Sequence, residues 1–252
     1  MKRGETFTLL LLFYLSFSPL FASSLLHQAE NHYANGAYLQ ALQSFKSSAH
    51  QGNLISQLKL AQMYEQGKGI PLNYDHAFFW YKKAAKQNSA QAMNSLGTYY
   101  YIGRSVKQDF QKSYMWYEKA AKLGSINAAY NVAVFYDKGI GRETNTTKAL
   151  YWYEKAAKGA SVNAQYNLAT LYYVGSRIKQ NYQKAAYWFL QASLQGDSNA
   201  QYNMGVLFFS GQGVKLNKIK AFEFWLSAAK QSHIKAQQSL DTLCKESAWA
   251  CR

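Results

Sequence analysis

The five histidines are the side chains of this sequence best suited to proton transfer or zinc binding, and their spacing argues against both. His27, His32, His50, His76 and His233 are scattered along the chain. None belongs to a His-Glu-x-x-His run or stands beside a cysteine, so the converging donors that zinc requires are not evident. The sequence has no Gly-x-Ser-x-Gly turn, no Walker loop and no Gly-x-Gly-x-x-Gly opening a helix after a strand. Its 13 acidic residues include Glu118 with Lys122 and Glu154 with Lys158, the (i, i+4) spacing of ordinary partners on a helix surface. The expectation is no metal, no cofactor and no catalytic residue, the alternative being a catalytic site assembled across distant segments.

Both cysteines, Cys244 and Cys251, fall in the last nine residues of the 252. On one continuous helix they would stand about 10 Å apart, too far to bond. A disulfide therefore requires the helix to end near Lys245 to Ser247 and the chain to turn back. That closure contributes roughly 2.5 kcal/mol on the chain-entropy view and needs an oxidising compartment. The two readings are this disulfide, which is favoured, and a pair of reduced thiols. The N-terminus agrees with an oxidising destination. Lys2 and Arg3 precede an apolar stretch, Phe7 to Phe17, and a small-residue exit, Pro19 to Ser24, the order of an export signal cleaved after Ala22 or Ser24. The stretch Thr6 to Leu26 can also be read as an uncleaved membrane anchor.

The elements that must position any site repeat every 36 residues. Trp80, Trp116, Trp152 and Trp188 keep that step, with Phe224 in the next place and Trp225 beside it. Alanines keep it at Ala84, Ala120, Ala156, Ala192 and Ala228, and again at Ala92, Ala128, Ala164, Ala200 and Ala236. Glycines keep it at Gly67, Gly103, Gly139, Gly175 and Gly211. Such multiple registers define a repeat protein. With two prolines in the whole chain, each unit reads as two helices. The first, as in Ala164, Leu168 and Tyr172, stops at the register glycine. The second opens at Asn73, Asp109, Asn145, Asn181 or Asn217, all good N-caps. Loops in which a second glycine (Gly69, Gly141, Gly213) gives way to Ser105 or Arg177 are expected to differ. The tryptophans are expected to fill the space between units.

The pattern resembles the Sel1-like repeat, a relative of the tetratricopeptide repeat. Ala164 to Ala169 (Ala-Gln-Tyr-Asn-Leu-Ala), Tyr172, Gly175, Ala185, Trp188, Phe189 and Ala192 carry the likeness, as do Tyr136, Gly139, Gly141, Ala149, Trp152, Tyr153, Ala156 and Ala157. The fold implied is all-α, an α/α solenoid or superhelix of helix–turn–helix repeats. The segments expected are an export signal (1–22), a degenerate helical repeat (23–52), repeats at 53–88, 89–124, 125–160, 161–196 and 197–232, and a C-terminal capping helix with the cysteine pair (233–252).

By the same resemblance the first helices line a concave face, exposing positions 55, 58, 62, 65 and their equivalents. That face would present Asn127, Asn163 and Asn199, then Tyr130, Tyr166 and Tyr202, then Tyr101, Tyr173 and Phe209. Tyrosine and asparagine suit adaptable binding surfaces. The tyrosines at 130, 166 and 202 can equally be consensus residues that hold repeats together. Glu65 and Asp137 share the register of Tyr101, Tyr173 and Phe209, and a position accepting both acid and aromatic reads as exposed. The net charge of +15 collects in lysine ladders on second helices: Lys83, Lys119 and Lys155; Lys86, Lys122, Lys158 and Lys230; Lys112, Lys148, Lys184 and Lys220. These suit an anionic envelope surface or a merely solvated face. The resemblance implies an exported, non-catalytic scaffold, periplasmic or secreted, that binds a protein or peptide in the bacterial envelope or at a host. Its alternative is a binder or hydrolase of peptidoglycan or β-lactam-type compounds, as suggested for cysteine-rich relatives. Those carry a cysteine pair in each repeat and this chain has one pair at its end. No nucleic-acid partner is expected of an exported chain.

Overall fold

The computed structural model describes residues 19–246; the expected export segment lies largely outside them. Among the described residues there are thirteen α-helices and no strands. They fall into two compact units divided between Ser125 and Ile126. The first unit holds α1 (Pro19–Ala34), α2 (Tyr38–His50), α3 (Leu54–Gln66), α4 (Tyr74–Lys86), α5 (Ala90–Ile102) and α6 (Phe110–Lys122). The second holds α7 (Ile126–Lys138), α8 (Thr146–Lys158), α9 (Val162–Val174), α10 (Tyr182–Leu194), α11 (Ser198–Ser210), α12 (Lys218–Ala229) and α13 (Ile234–Glu246). Helix α1 begins at Pro19 and runs through Ala22 and Ser24, the two expected cleavage points. No described helix is long and apolar enough to cross a membrane.

Side chains at the helix ends explain the nearly uniform helix length. Asn73, Asp109, Asn145, Asn181 and Asn217 each accept a hydrogen bond from the backbone N–H three residues on, as N-caps do. The five register glycines end α3, α5, α7, α9 and α11 in the left-handed region, where φ is positive. Each N-cap also donates its own backbone N–H to a carbonyl nine residues earlier, as in Asn145 to Tyr136 at 2.8 Å. That bond ties the end of one helix to the start of the next. Of the two loops expected to differ, the one at Ser105 keeps a positive φ of 57° beside 69° at Gly69. Arg177 is not in that region and serves another purpose, described below.

The buried anchor between helices is the residue after the expected tryptophan. Tyr81, Tyr117, Tyr153, Phe189 and Trp225 are all buried; of the expected tryptophans Trp80 and Trp152 are buried as well, whereas Trp116 and Trp188 are only partly covered. The anchor lies against a small residue on the preceding helix. A Cβ added at Gly97 would strike the Tyr117 ring, and one added at Gly205 would strike the Trp225 indole. In the second unit Phe189 packs in one cluster with Ala169, Ala185, Ala192, Met204 and Leu207. Helix α13 closes the far end, laying Ala236, Leu240 and Leu243 over Ala221, Trp225 and Ala228.

Phe189→Ala is therefore expected to destabilise the second unit by about 3–5 kcal/mol. Tyr187→Ala, two residues away on the exposed side, should change it by no more than about 0.5 kcal/mol. Denaturant unfolding followed by circular dichroism measures the difference.

Candidate interaction surface

Asn127, Asn163 and Asn199 occupy the second position of α7, α9 and α11 and are exposed. One turn later Tyr130, Tyr166 and Tyr202 are half-buried, because each ring also packs. Tyr130 lies 6.1 Å from the Tyr153 ring and Tyr166 lies 5.7 Å from Phe189. Tyr202 stacks on His233 at 4.9 Å, and His233 Nδ1 accepts the Ala236 N–H at the start of α13. These tyrosines thus hold neighbouring helices and keep an exposed edge.

The second unit brings part of the expected set together. Tyr166, Asn199, Tyr202 and His233 line a cleft of about 450 Å³ with Asn203 and Lys235. A second hollow to which Tyr202 contributes, a groove of about 520 Å³, lies between α11 and α13. Val206, Phe209, Trp225 and Leu243 make it apolar, and Lys235, Gln238, Thr242 and Glu246 give it a polar border. Asn127, Tyr130 and Asn163 lie outside both hollows. Tyr173 is half-buried, its ring 5.6 Å from Tyr182 and 6.2 Å from Phe189. Tyr101 belongs to the first unit, where it is 37% exposed with its ring 5.6 Å from Phe110. The α13 residues of the groove were not among the sequence candidates. Lys235, Gln238, Ser239 and Thr242 follow one another at helical spacing, polar beside the apolar Ala236, Leu240 and Leu243, and that amphipathic pattern is the available signal.

The acidic members of the register of Tyr101 depart from the expected exposure. Asp137 is buried, with 7% of its surface exposed, because its carboxylate meets Arg177 at 2.6 Å and accepts the Tyr153 hydroxyl at 3.3 Å. Arg177 also donates to the Asp137 carbonyl at 3.0 Å. In the first unit Glu65 repeats the arrangement, accepting the Tyr81 hydroxyl at 2.8 Å with Arg104 at 3.7 Å. The Arg104 guanidinium lies over the Tyr74 ring at 4.1 Å. These are structural clusters that tie helices together. Burial, and then the charge of Glu65, push the Tyr81 and Tyr99 phenols up; burial, and then Asp137, do so for Tyr153. Among the described residues no three His, Cys, Asp or Glu side chains are grouped to hold a metal ion. Cys244 lies on α13, and Cys251, its expected disulfide partner, lies outside the described residues.

Stacked helix pairs with such hollows between first helices define a helical-repeat scaffold. The sequence matches the Sel1 repeat at residues 54–89, 90–125, 126–161, 162–197 and 198–233, and the chain belongs to the Sel1-repeat family. Its fold is the all-α solenoid of that family. Members generally act as protein–protein interaction scaffolds and are typically non-catalytic. A crystal structure of a protective antigen of uropathogenic Escherichia coli matches with a TM-score of 0.81 and 28% identity over 86% of this chain. The match covers 47% of that chain, so this protein spans about half its length. A Sel1 repeat protein of Oxalobacter formigenes matches at 0.79 with 27% identity over 86% of this chain and 89% of the other. An immunity protein of Pseudomonas aeruginosa shares the fold at 0.52 with 17% identity, over 81% of each chain. No curated protein matches the sequence.

The buried phenols carry a pH dependence. Their folded values lie above the ordinary value near 10, so the stability they contribute is complete below about pH 10 and is lost as pH rises further. Ultraviolet titration should show the last phenolates appearing together with loss of helical circular dichroism. In Tyr153→Phe the second unit should resist alkali longer.

Proposed function

We propose that the protein is an exported, non-catalytic scaffold that seats an extended peptide segment of a partner protein in the groove between α11 and α13. The observation that carries this reading is the juxtaposition of Tyr202, Phe209 and Trp225 along an apolar floor with a polar border. Large aromatic side chains give contact area at little conformational cost, and the polar border can pair with a peptide backbone. The setting of the E. coli relative, a protective antigen, supports an envelope or secreted location, as does the order of charged, apolar and small residues at the N-terminus. In that oxidising setting Cys244 and Cys251 form a disulfide that fastens the end of α13.

A photo-crosslinking residue placed at Ser239 or Thr242, in living cells, tests the groove. A single partner should be captured there and not from Lys158 on the outer side of α8, and capture should fall at least tenfold in Tyr202→Ala/Phe209→Ala. Equal capture at Lys158, or capture indifferent to the two substitutions, would sink the assignment. Hydrolysis of peptidoglycan or a β-lactam above the buffer rate would overturn the non-catalytic reading. Location is checked separately. Mass spectrometry of the exported chain is expected to find residues 1–22 or 1–24 removed and both cysteines resistant to alkylation until reduced.

A further inference from the structure

The second helices of the first unit carry exposed apolar side chains beside lysines. The exposed Asp75 stands one turn before Phe79, and Phe79 also lines a hollow of about 530 Å³ with His50, Tyr64, His76 and Trp80. On α4, Phe79, Lys83 and Lys86 stand at positions i, i+4 and i+7, which share one helix face. On α6, Met115, Lys119 and Lys122 repeat that order 36 residues later. Phe79 is 49% exposed and Met115 40%, although both belong to helices with an ample buried face. Phe79 is held edge-on against Trp80 at 5.1 Å, with Lys83 Nζ 5.5 Å from its ring. Lys119 Nζ lies 5.0 Å from the Trp116 ring. Glu118 engages Lys122 at 2.9 Å. Among the described residues no ion pair engages Lys83, Lys86 or Lys119. In the second unit α8 carries the same triple, Tyr151, Lys155 and Lys158, with Tyr151 56% exposed.

We propose that the α4–α6 face of the first unit docks on an anionic lipid bilayer, with the lysines at the headgroups and Phe79 and Met115 entering the apolar boundary. The side-chain types select this occupant. Phe79 and Met115 are both apolar and gain by leaving water for an acyl layer, and the unbranched thioether of Met115 offers no flat face for a sugar ring. Lysine stems lie along apolar surface while their ammonium groups stay with anionic headgroups. A second copy of this chain would set lysine against lysine. This docking stands apart from the α11–α13 groove and does not depend on it.

Flotation of the full chain with vesicles tests the assignment. The expected result is binding to phosphatidylcholine vesicles containing about one-third phosphatidylglycerol, and much weaker binding to phosphatidylcholine alone. Binding should fall as salt is raised from about 0.1 M to about 0.5 M. Lys83→Gln/Lys86→Gln/Lys119→Gln and Phe79→Ser/Met115→Ser should each reduce the bound fraction at least about fivefold. Tyr202→Ala/Phe209→Ala should leave it unchanged. All five substituted positions of the outer face are exposed, and an unaltered thermal midpoint certifies each variant's fold. Failure of the wild-type chain to bind the anionic vesicles overturns the proposal, as does wild-type binding by both variants. Loss in the lysine variant with full binding in Phe79→Ser/Met115→Ser also overturns it, and points instead to a purely electrostatic partner such as an acidic protein.

Discussion

The contact on which the rest depends is a large ring set against a residue with almost no side chain. Tyr117 fits only because position 97 is glycine, and Trp225 only because position 205 is glycine. Where the ring is Phe189, the corresponding small residue is Ala169, fully buried in the same cluster. The close approach lets the backbones of a helix pair come together while the ring excludes water between them. Dense interiors are sensitive to single methyl groups, so this contact fixes how each pair closes. The caps and the nine-residue backbone bridges then set the length and angle at which the pair meets its loop.

Much of this was legible in the sequence because it is written in residue types with few other uses. A glycine every 36 residues, an Asn or Asp six residues after it and alanines in two further registers admit few readings. The identity of the buried anchor was harder to read. Tryptophan draws attention by size, and Trp80 and Trp152 are buried as expected, yet Trp116 and Trp188 are partly covered while the less conspicuous Tyr117 and Phe189 are enclosed. Periodicity gives the step between positions, not which of two adjacent aromatic residues faces inward. A clue lay in Gly97 and Gly205, which replace alanine in helix interiors where glycine is disfavoured and thereby mark where a neighbour comes close.

The candidate surface was legible in part. Tyr202 and Phe209 share a groove, yet half of that groove comes from α13, which belongs to no complete repeat. Asp137 was misjudged because a position that takes both acid and aromatic looks solvent-facing. Its partner arrives from 40 residues downstream, and Glu65 meets Arg104 from 39. The sequence pairs an arginine with each acid at this distance and offers none to Tyr101 or Tyr173. A buried carboxylate needs a partner, and that correlation was the trace of it.

A glutamine clasp runs through several of these junctions. Gln57, Gln165 and Gln201 each donate to a carbonyl near the end of the preceding second helix, at Ala49, Ala157 and Ser193. Each also accepts from Gln87, Gln195 or Gln231, 30 residues on. Met93 and Ala129 stand in the same register without an amide. A unit that carries both glutamines therefore brings with it the means of fastening to whatever unit precedes it, since the acceptor it needs is only a main-chain oxygen. At the three junctions that carry it, this bond does not depend on the identity of the preceding unit's side chain. Modularity of this kind resides in the asymmetry of the clasp, side chain on one side and backbone on the other.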